Sequence, residues 1–213
     1  MKIFSMPIQI ETKNTTENDQ KWCSLMKTGD IIAFSGKNLG AKLIRWATNS
    51  PYSHLAIVLD TEPEEGGRIS IAESTTFTMV PNFRNEKCSK GVQIHWLTNW
   101  LAAYKHDGQA WWIPLDRPLT AENRAKMQAW VWQVEQQKVR FGYHKAFAAW
   151  LKNKGGLKFN KWKDSSSLFC SELVVKALQI AGAIEPHIDA SLQTPKDAIA
   201  LPCFQERHPL LIK

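Results

Sequence analysis

The chain has 213 residues, 44% of them hydrophobic, which suits one domain with a sizeable core. Because it has neither a run of about 20 apolar residues nor an apolar N-terminal segment, a membrane-spanning helix and a cleaved secretion signal are not expected. Its net charge of +7 comes from residues 138–163, which carry eight cations and no acid and leave the rest of the chain at −1.

The first half of the chain predicts a polar arm followed by strands. We expect the arm over residues 1–24 and a single domain over residues 25–213. The segment from Lys27 to Asp30 predicts a turn, and residues 39–46 predict one or two helical turns before a break at Asn49-Ser50-Pro51. Strands are predicted over residues 31–34, 54–59, 69–74, 91–96 and 110–115.

The second half predicts helices. Thr120 is the expected N-cap of a helix over residues 121–138, and residues 143–151 predict a shorter helical piece. Ser165, Ser166 and Ser167 offer caps for a last helix over residues 170–181, which Gly182 should close. Because strands precede helices, the order predicts an α+β fold rather than alternating α/β.

The position of Cys170 suggests a nucleophile. It lies in the first turn of the last predicted helix, where unpaired backbone N–H groups and the helix dipole favour a thiolate. The other three cysteines lack this placement, and none of the four has metal-ligand spacing, so free thiols are expected. The alternative is that Cys170 is a small buried residue of an amphipathic helix.

His54 is the histidine expected to act with this thiol. It opens a strand that is otherwise apolar, and an imidazole beside Cys170 would take the thiol proton and hold the thiolate as an ion pair. The alternative is a core histidine whose hydrogen bonds are satisfied. His95, on an alternating strand beside Trp96, is expected to be structural.

Glu73 is the acid expected to orient His54, and the argument rests on strand register. If the hairpin loop centres between Pro63 and Glu64, facing residue numbers sum to 127 and Glu73 lies opposite His54. A one-residue change in the turn would move Glu73 to the other face of the sheet. The alternative is a surface glutamate at a strand end.

Five short segments follow one another in a characteristic order. They are Thr28-Gly29-Asp30-Ile31-Ile32, Tyr52-Ser53-His54-Leu55-Ala56-Ile57-Val58, Ile71-Ala72-Glu73-Ser74, Phe169-Cys170-Ser171-Glu172-Leu173-Val174 and Thr194-Pro195-Lys196-Asp197-Ala198. In this order they resemble the permuted NlpC-type hydrolases, specifically the YiiX-like permuted papain-like amidases. In ordinary papain-like enzymes the cysteine precedes the histidine, whereas in this family, as here, the order is histidine, acid, cysteine.

The resemblance implies a circularly permuted papain-like fold, in which an antiparallel β-sheet packs against the nucleophile-bearing helix. It also implies cleavage of an amide, ester or thioester through an acyl-enzyme, with Cys170 as nucleophile, His54 as base and Glu73 as orienting residue. No metal or cofactor is expected. The backbone N–H of Cys170 is the simplest oxyanion donor. Further oxyanion or substrate contacts are expected from Tyr52, Phe169 and Ser171.

A peptidoglycan peptide is the expected substrate. A cell-wall hydrolase without a signal suggests an antibacterial effector, made in the cytoplasm, delivered to the periplasm by a dedicated secretion system, and paired with an immunity protein. The alternative is a lipid amide or ester hydrolase. Apolar side chains interleave with cations in the basic, tryptophan-rich insertion at residues 138–163, which would suit an anionic surface, although a solvated lysine-rich loop has the same composition.

Two functions without hydrolysis are also compatible with the sequence. A binding module that kept the fold would have no need of all three of His54, Glu73 and Cys170. Nucleic-acid binding through residues 138–163 is disfavoured, because no helix-turn-helix, zinc or RNA-binding signature accompanies the charge.

Overall fold

The computed structural model describes residue 22 and residues 24–62, 68–78, 80–84, 86, 90–105, 108–142 and 167–211. Most of the predicted arm, the predicted hairpin loop, the helical piece at 143–151 and the basic insertion beyond residue 142 lie outside the described residues. Trp22, which the sequence assigns to the arm, packs on the domain, with its ring stacked 4.9 Å from that of His208.

Eight strands are present among the described residues, and the first five fall where the sequence predicts strands. In chain order they are β1 (Ile31–Gly36), β2 (His54–Glu62), β3 (Arg68–Thr75), β4 (Gly91–Trp96), β5 (Gly108–Ile113), β6 (Arg140–Phe141), β7 (Ser167–Leu168) and β8 (His208–Leu211). Six of them form one antiparallel sheet in the order β4-β3-β2-β1-β5-β8, and β6 pairs with β7 in parallel.

The helices are α1 (Leu39–Thr48), α2 (Leu97–Tyr104), α3 (Ala121–Gln136), α4 (Cys170–Ile180) and α5 (Pro195–Ile199). Thr120 caps α3 as predicted, since its side chain accepts from the backbone N–H of Asn123. Gly182 follows the end of α4 with a φ of +66°, the left-handed conformation expected of a closing glycine. The sequence patterns did not predict α2 and α5, which are short helices. None of the described helices has the length and apolarity needed to cross a bilayer.

Helices cover both faces of the sheet. On one face, α3 and α4 pack on Leu55, Ile57 and Ala72. On the other, α2 places Trp100 against Phe34 and the outer residues of β2 and β3. Because both faces are buried, β1 is buried along its whole length, as its apolar sequence requires. The predicted α+β class is confirmed, with an antiparallel sheet packed against the helix that begins at Cys170.

The β2–β3 hairpin differs from its predicted register by two. Ile57 faces Ala72 and Val58 faces Ile71, so facing numbers sum to 129 near the site rather than to 127. Beyond the irregularity between Val58 and Asp60 they sum to 130. Because side chains alternate with a period of two, a shift of two keeps Glu73 on the predicted face but moves it from directly opposite His54 to a diagonal position.

The predicted serine caps do not begin α4. Ser167 lies in β7, opposite Arg140, and its extended backbone delays the start of the helix. The N-cap is Phe169, which makes no side-chain capping bond. The first-turn N–H groups of α4 are therefore not occupied by a cap side chain and remain available to the group that opens the helix, Cys170.

Candidate active site

Cys170 sits at the N-terminus of α4 with its sulphur surrounded by donors. The side chain is buried, and the backbone N–H groups of Leu55 and Ser171 donate to the sulphur. These bonds and the start of the helix both favour the thiolate over the thiol. Leu55 belongs to β2, so the strand that carries His54 also helps to hold the charge on Cys170.

Two buried hydroxyls fix the start of α4. Ser74 Oγ, one residue after Glu73, donates to the carbonyl of Leu168 at 2.6 Å. Ser171 Oγ donates to the carbonyl of Gln193 at 2.7 Å. Each bond ties the Cys170 segment to a different element, β3 on one side and the segment leading into α5 on the other. The relative position of Cys170 and Glu73 is thereby set by direct bonds.

His54 bridges Cys170 and Glu73. Its Nε2 lies 2.5 Å from Oε2 of Glu73, and its ring also forms a hydrogen bond with the Cys170 thiol. Because Nε2 is engaged by Glu73, Nδ1 is the nitrogen left for the sulphur. The three predicted residues, which come from three separate elements of the chain, therefore form one hydrogen-bonded chain.

The charges in this chain are mutually stabilised. Burial lowers the pKa of His54, but the negative charges of Glu73 and Cys170 more than offset this and raise it to about 10. Burial likewise raises the pKa of the Cys170 thiol, but the His54 cation and the backbone donors bring it below its usual value. Both shifts favour the thiolate–imidazolium pair over the neutral thiol and imidazole.

Glu73 is the buried centre of a row that crosses three strands. Continuing the register of Ile57 and Ala72 places Glu73 opposite Ala56, two residues from His54 on the same face. On its other side Glu73 pairs with Gln93, two residues from His95. Diagonal neighbours of this kind are within reach of long side chains. His54, Glu73 and His95 thus stand side by side on β2, β3 and β4.

His95 also contacts the site, although the sequence predicted a purely structural role for it. It is fully buried, and its Nε2 lies 3.3 Å from Oε1 of Glu73, the distance of an ion pair. Neither atom has a hydrogen-bond partner of good geometry among the described residues. Its Nδ1 lies 2.9 Å from the carbonyl of Pro81 and must donate to it. Nε2 can therefore donate to Glu73 only when the ring carries both protons.

The surroundings of His95 favour this doubly protonated form. Burial lowers the pKa of His95, but the close contact with the Glu73 carboxylate and its negative charge raise the pKa above its usual value. The ring also stacks on Trp100 at 5.2 Å with an interplanar angle of 17°, an arrangement that suits an imidazolium over an indole. Burial raises the pKa of Glu73, and the two histidines more than offset this and keep the carboxyl ionised.

The remaining predicted site residues have other partners. The Tyr52 hydroxyl accepts a hydrogen bond from Arg207, and its ring packs edge-on against Trp111. Phe169 is the buried N-cap of α4. The Ser171 hydroxyl is used by the bond to the Gln193 carbonyl, so only its backbone N–H faces Cys170.

No group of three or more histidine, cysteine, aspartate or glutamate side chains in the described part of the chain is arranged to hold a metal ion. The carboxylate and imidazole groups of the site contact one another instead, because Glu73 lies against both His54 and His95. The arrangement is thus suited to moving a proton between sulphur and imidazole, with a buried carboxylate to orient the imidazole.

Comparison with known proteins adds a likeness of fold. No family model matches the chain, and no curated protein matches it. Among solved structures, the crystal structure of the metalloprotein YiiX from Escherichia coli O157:H7 is similar, with a TM-score of 0.53. The alignment covers 84% of this chain and 94% of that one, at 17% sequence identity. At this identity the likeness concerns the fold alone.

Proposed function

We propose that this protein is a cysteine hydrolase of the permuted papain-like kind, which cleaves an amide, ester or thioester bond through an acyl-enzyme. The observation that carries the proposal is the position of His54, hydrogen-bonded to the Cys170 thiol on one side and to buried Glu73 on the other. A binding module has no use for a thiolate stabilised in this way. The likeness of fold to YiiX, over most of both chains, supports the permuted arrangement.

In the first half of the reaction, the Cys170 thiolate attacks the carbonyl carbon of the substrate. A C–S bond forms, and the π electrons of the carbonyl move to its oxygen, where backbone N–H groups at the start of α4 stabilise the negative charge. The tetrahedral intermediate then collapses. The bond to the leaving amine or alcohol breaks as His54 gives that group its proton, and a thioester on Cys170 remains.

In the second half, water replaces the leaving group. Neutral His54 takes a proton from the water, which attacks the thioester carbonyl, and the C–S bond breaks to release the acid and the thiolate. Glu73 does not exchange protons with the substrate. It holds the ring of His54 in one orientation and stabilises the imidazolium, and His95 in turn holds Glu73 from the far side.

A peptidoglycan peptide is the first substrate class to test, and a lipid amide or ester is the second. The second is favoured by a specific feature, the exposed apolar face of α1, which is described below. If the substrate is peptidoglycan, the protein acts as an antibacterial effector delivered to the periplasm and is neutralised by an immunity protein. A neighbouring gene whose product binds this chain and blocks its activity would test that role.

The experiment compares the intact protein with Cys170→Ala and, as a matched control, Cys203→Ala, on purified peptidoglycan and on a total lipid extract. Products are read by mass spectrometry. We expect new fragments in one of the two pools, formed by the intact protein and by Cys203→Ala but not by Cys170→Ala. Intact-mass analysis should detect the acyl-enzyme as an adduct on Cys170. Equal turnover by Cys170→Ala, or an unreactive Cys170, would refute the proposal.

A further inference from the structure

Helix α1 presents its apolar side chains to solvent. Leu39, Leu43, Ile44 and Trp46 are 84%, 63%, 41% and 66% exposed, and they are four of the seven large apolar side chains that the described residues expose. Leu39, Leu43 and Trp46 are spaced by four and three residues and so form one stripe along the helix. The protein side of α1 is made instead by the small buried residues Ala41 and Thr48.

The outward direction of this stripe is the reverse of the usual one. An amphipathic helix on a water-soluble surface normally turns its apolar stripe toward the core. Both ends of α1 are capped. Asn38 caps the N-terminus by accepting from the N–H of Ala41 at 2.8 Å, and Asn49 closes the C-terminus with a φ of +47°. A stable helix about 15 Å long, exposing a tryptophan and three aliphatic side chains, marks an interaction surface.

The charged residues within α1 and directly before it in the chain are all positive. Lys37 and Lys42 are exposed beside the apolar stripe, whereas Arg45 turns inward and donates to Ser35 Oγ at 3.0 Å. The sequence contains no aspartate or glutamate from residue 31 to residue 59. Lys196 of α5 lies next to the end of α1, where its Nζ donates to the carbonyl of Asn49 at 3.2 Å. Apolar side chains flanked by cations, with tryptophan among them, match the boundary between the headgroups and acyl chains of an anionic bilayer.

We propose that the outer face of α1, made by Leu39, Leu43, Ile44 and Trp46 with the flanking cations, docks on the surface of an anionic lipid bilayer. The helix lies in the plane of the interface with its apolar stripe among the upper acyl chains, and the cations contact the phosphate groups. Docking does not depend on the proposed hydrolysis, because none of these side chains takes part in it.

The outer face of α1 belongs to a helix that is close in sequence to the proposed catalytic residue His54. Only five residues separate the end of α1 at Thr48 from His54. The carbonyl of Asn49 accepts a hydrogen bond from Lys196. Gln193 lies three residues before Lys196, and its carbonyl accepts from the hydroxyl of Ser171, which is next to Cys170. A bilayer bound to α1 would therefore lie close to the end of β2 from which the proposed catalytic histidine projects.

The test measures co-sedimentation of the full-length Cys170→Ala protein with lipid vesicles, so that binding is observed without turnover. Vesicles containing phosphatidylglycerol are compared with vesicles of phosphatidylcholine alone. We expect binding to the anionic vesicles that weakens as salt is raised. The double variant Leu43→Gln/Trp46→Gln should lower the affinity by about 10-fold or more, and Lys37→Gln/Lys42→Gln should lower it on anionic vesicles specifically.

Matched controls separate α1 from other surfaces. Ile180→Gln changes an apolar side chain exposed at the end of α4 and should leave binding unchanged. Neutralising Lys152, Lys154 and Lys158 tests the basic insertion as the contact. Thermal unfolding checks that each variant folds, and analytical ultracentrifugation reports self-association. Any one of three results would overturn the proposal. They are no binding to anionic vesicles, binding that is lost only in the insertion variant, and a dimer that Leu43→Gln/Trp46→Gln abolishes while no vesicle binding is seen.

Discussion

At the scale of single residues, the site is a set of charges that are stable only together. Cys170 and Glu73 are buried and the His54 side chain is 14% exposed, and burial alone would favour the neutral form of each group. His54 faces a negative charge on both sides, which is why its pKa rises to about 10 in spite of burial. The same coupling lowers the pKa of the thiol below its usual value.

This coupling predicts selective alkylation of Cys170. Below about pH 10 His54 keeps its proton, and the thiolate persists down to the lowered pKa of Cys170. The rate with iodoacetamide should therefore reach its plateau at a lower pH than the rate of an ordinary cysteine thiol does. Burial raises the pKa of Cys203 to about 11, so at pH 7 it should react at least about 100-fold more slowly. Peptide mapping at several pH values measures both rates.

The control for this experiment is His54→Ala. Without the imidazolium, the Cys170 thiol keeps its burial but loses its nearest positive charge, so its alkylation should become slow at pH 7 and rise steeply with pH. Equal rates for Cys170 and Cys203 at pH 7, or a plateau that survives in His54→Ala, would contradict the ion pair.

His95 should act as a positioning residue for Glu73. In His95→Ala the carboxylate loses a donor, which raises the pKa of Glu73 and weakens its hold on the His54 cation. The acid limb of the Cys170 alkylation profile should therefore move to higher pH, and turnover should fall by about 10-fold or more. His95→Gln, whose amide can donate to Glu73, should restore much of the profile.

A merely structural role for His95 would give a different result. His208→Ala removes another ring that is packed on an indole, that of Trp22, and it should lower thermal stability without moving the pH profile. If His95→Ala also changes only stability, Glu73 does not depend on His95.

At the scale of elements, one glycine opens β4 and another closes α4. Gly91 opens β4 with a φ of +136°, and a Cβ there would lie 2.2 Å from the carbonyl oxygen of Val139. Gly182 closes α4 with a φ of +66°, and a Cβ there would meet nothing nearer than 3.6 Å. The first position is closed to a side chain by backbone atoms, and the second only by its dihedral angle.

The two alanine variants should therefore differ in stability. Gly182→Ala should lower the free energy of unfolding by about 1 kcal/mol, the ordinary cost of a left-handed alanine. Gly91→Ala should cost about 3 kcal/mol or more, because the backbone of β4 or of residue 139 must also move. Guanidinium unfolding of both proteins measures the difference, and equal losses would show that the Gly91–Val139 approach is not rigid.

At the scale of the whole molecule, the fold resembles that of a metalloprotein, while the site is arranged for a thiol. The likeness to YiiX extends over most of both chains. In the part of this chain that the structure describes, however, no group of three or more potential ligands is arranged to hold a metal ion, and the ionisable groups of the site contact one another. A shared fold does not carry a shared site, so the chemistry has to be argued from the residues present.

Treatment with a chelator should therefore leave hydrolysis and thermal stability unchanged. A nucleophile ionised by His54 needs no metal-bound water. Added Zn²⁺ should inhibit, because thiolate and imidazole nitrogen are both ligands that zinc prefers. The measurement is turnover before and after dialysis against EDTA, with the metal content determined in parallel. Activity that is lost with EDTA and regained with one metal would contradict the thiolate mechanism.

Local sequence determined the position of the cysteine helix, though not its cap, and also the strand that opens with His54 and the α+β order, because hydrophobic periodicity is encoded by residues close together in the chain. It also gave the correct face for Glu73, since a register error of two preserves that face. Only the tertiary structure decided the diagonal row of His54, Glu73 and His95 and the outward stripe of α1. These features depend on an irregularity in β2 and on contacts between distant segments, and neither leaves a periodic signal in the sequence.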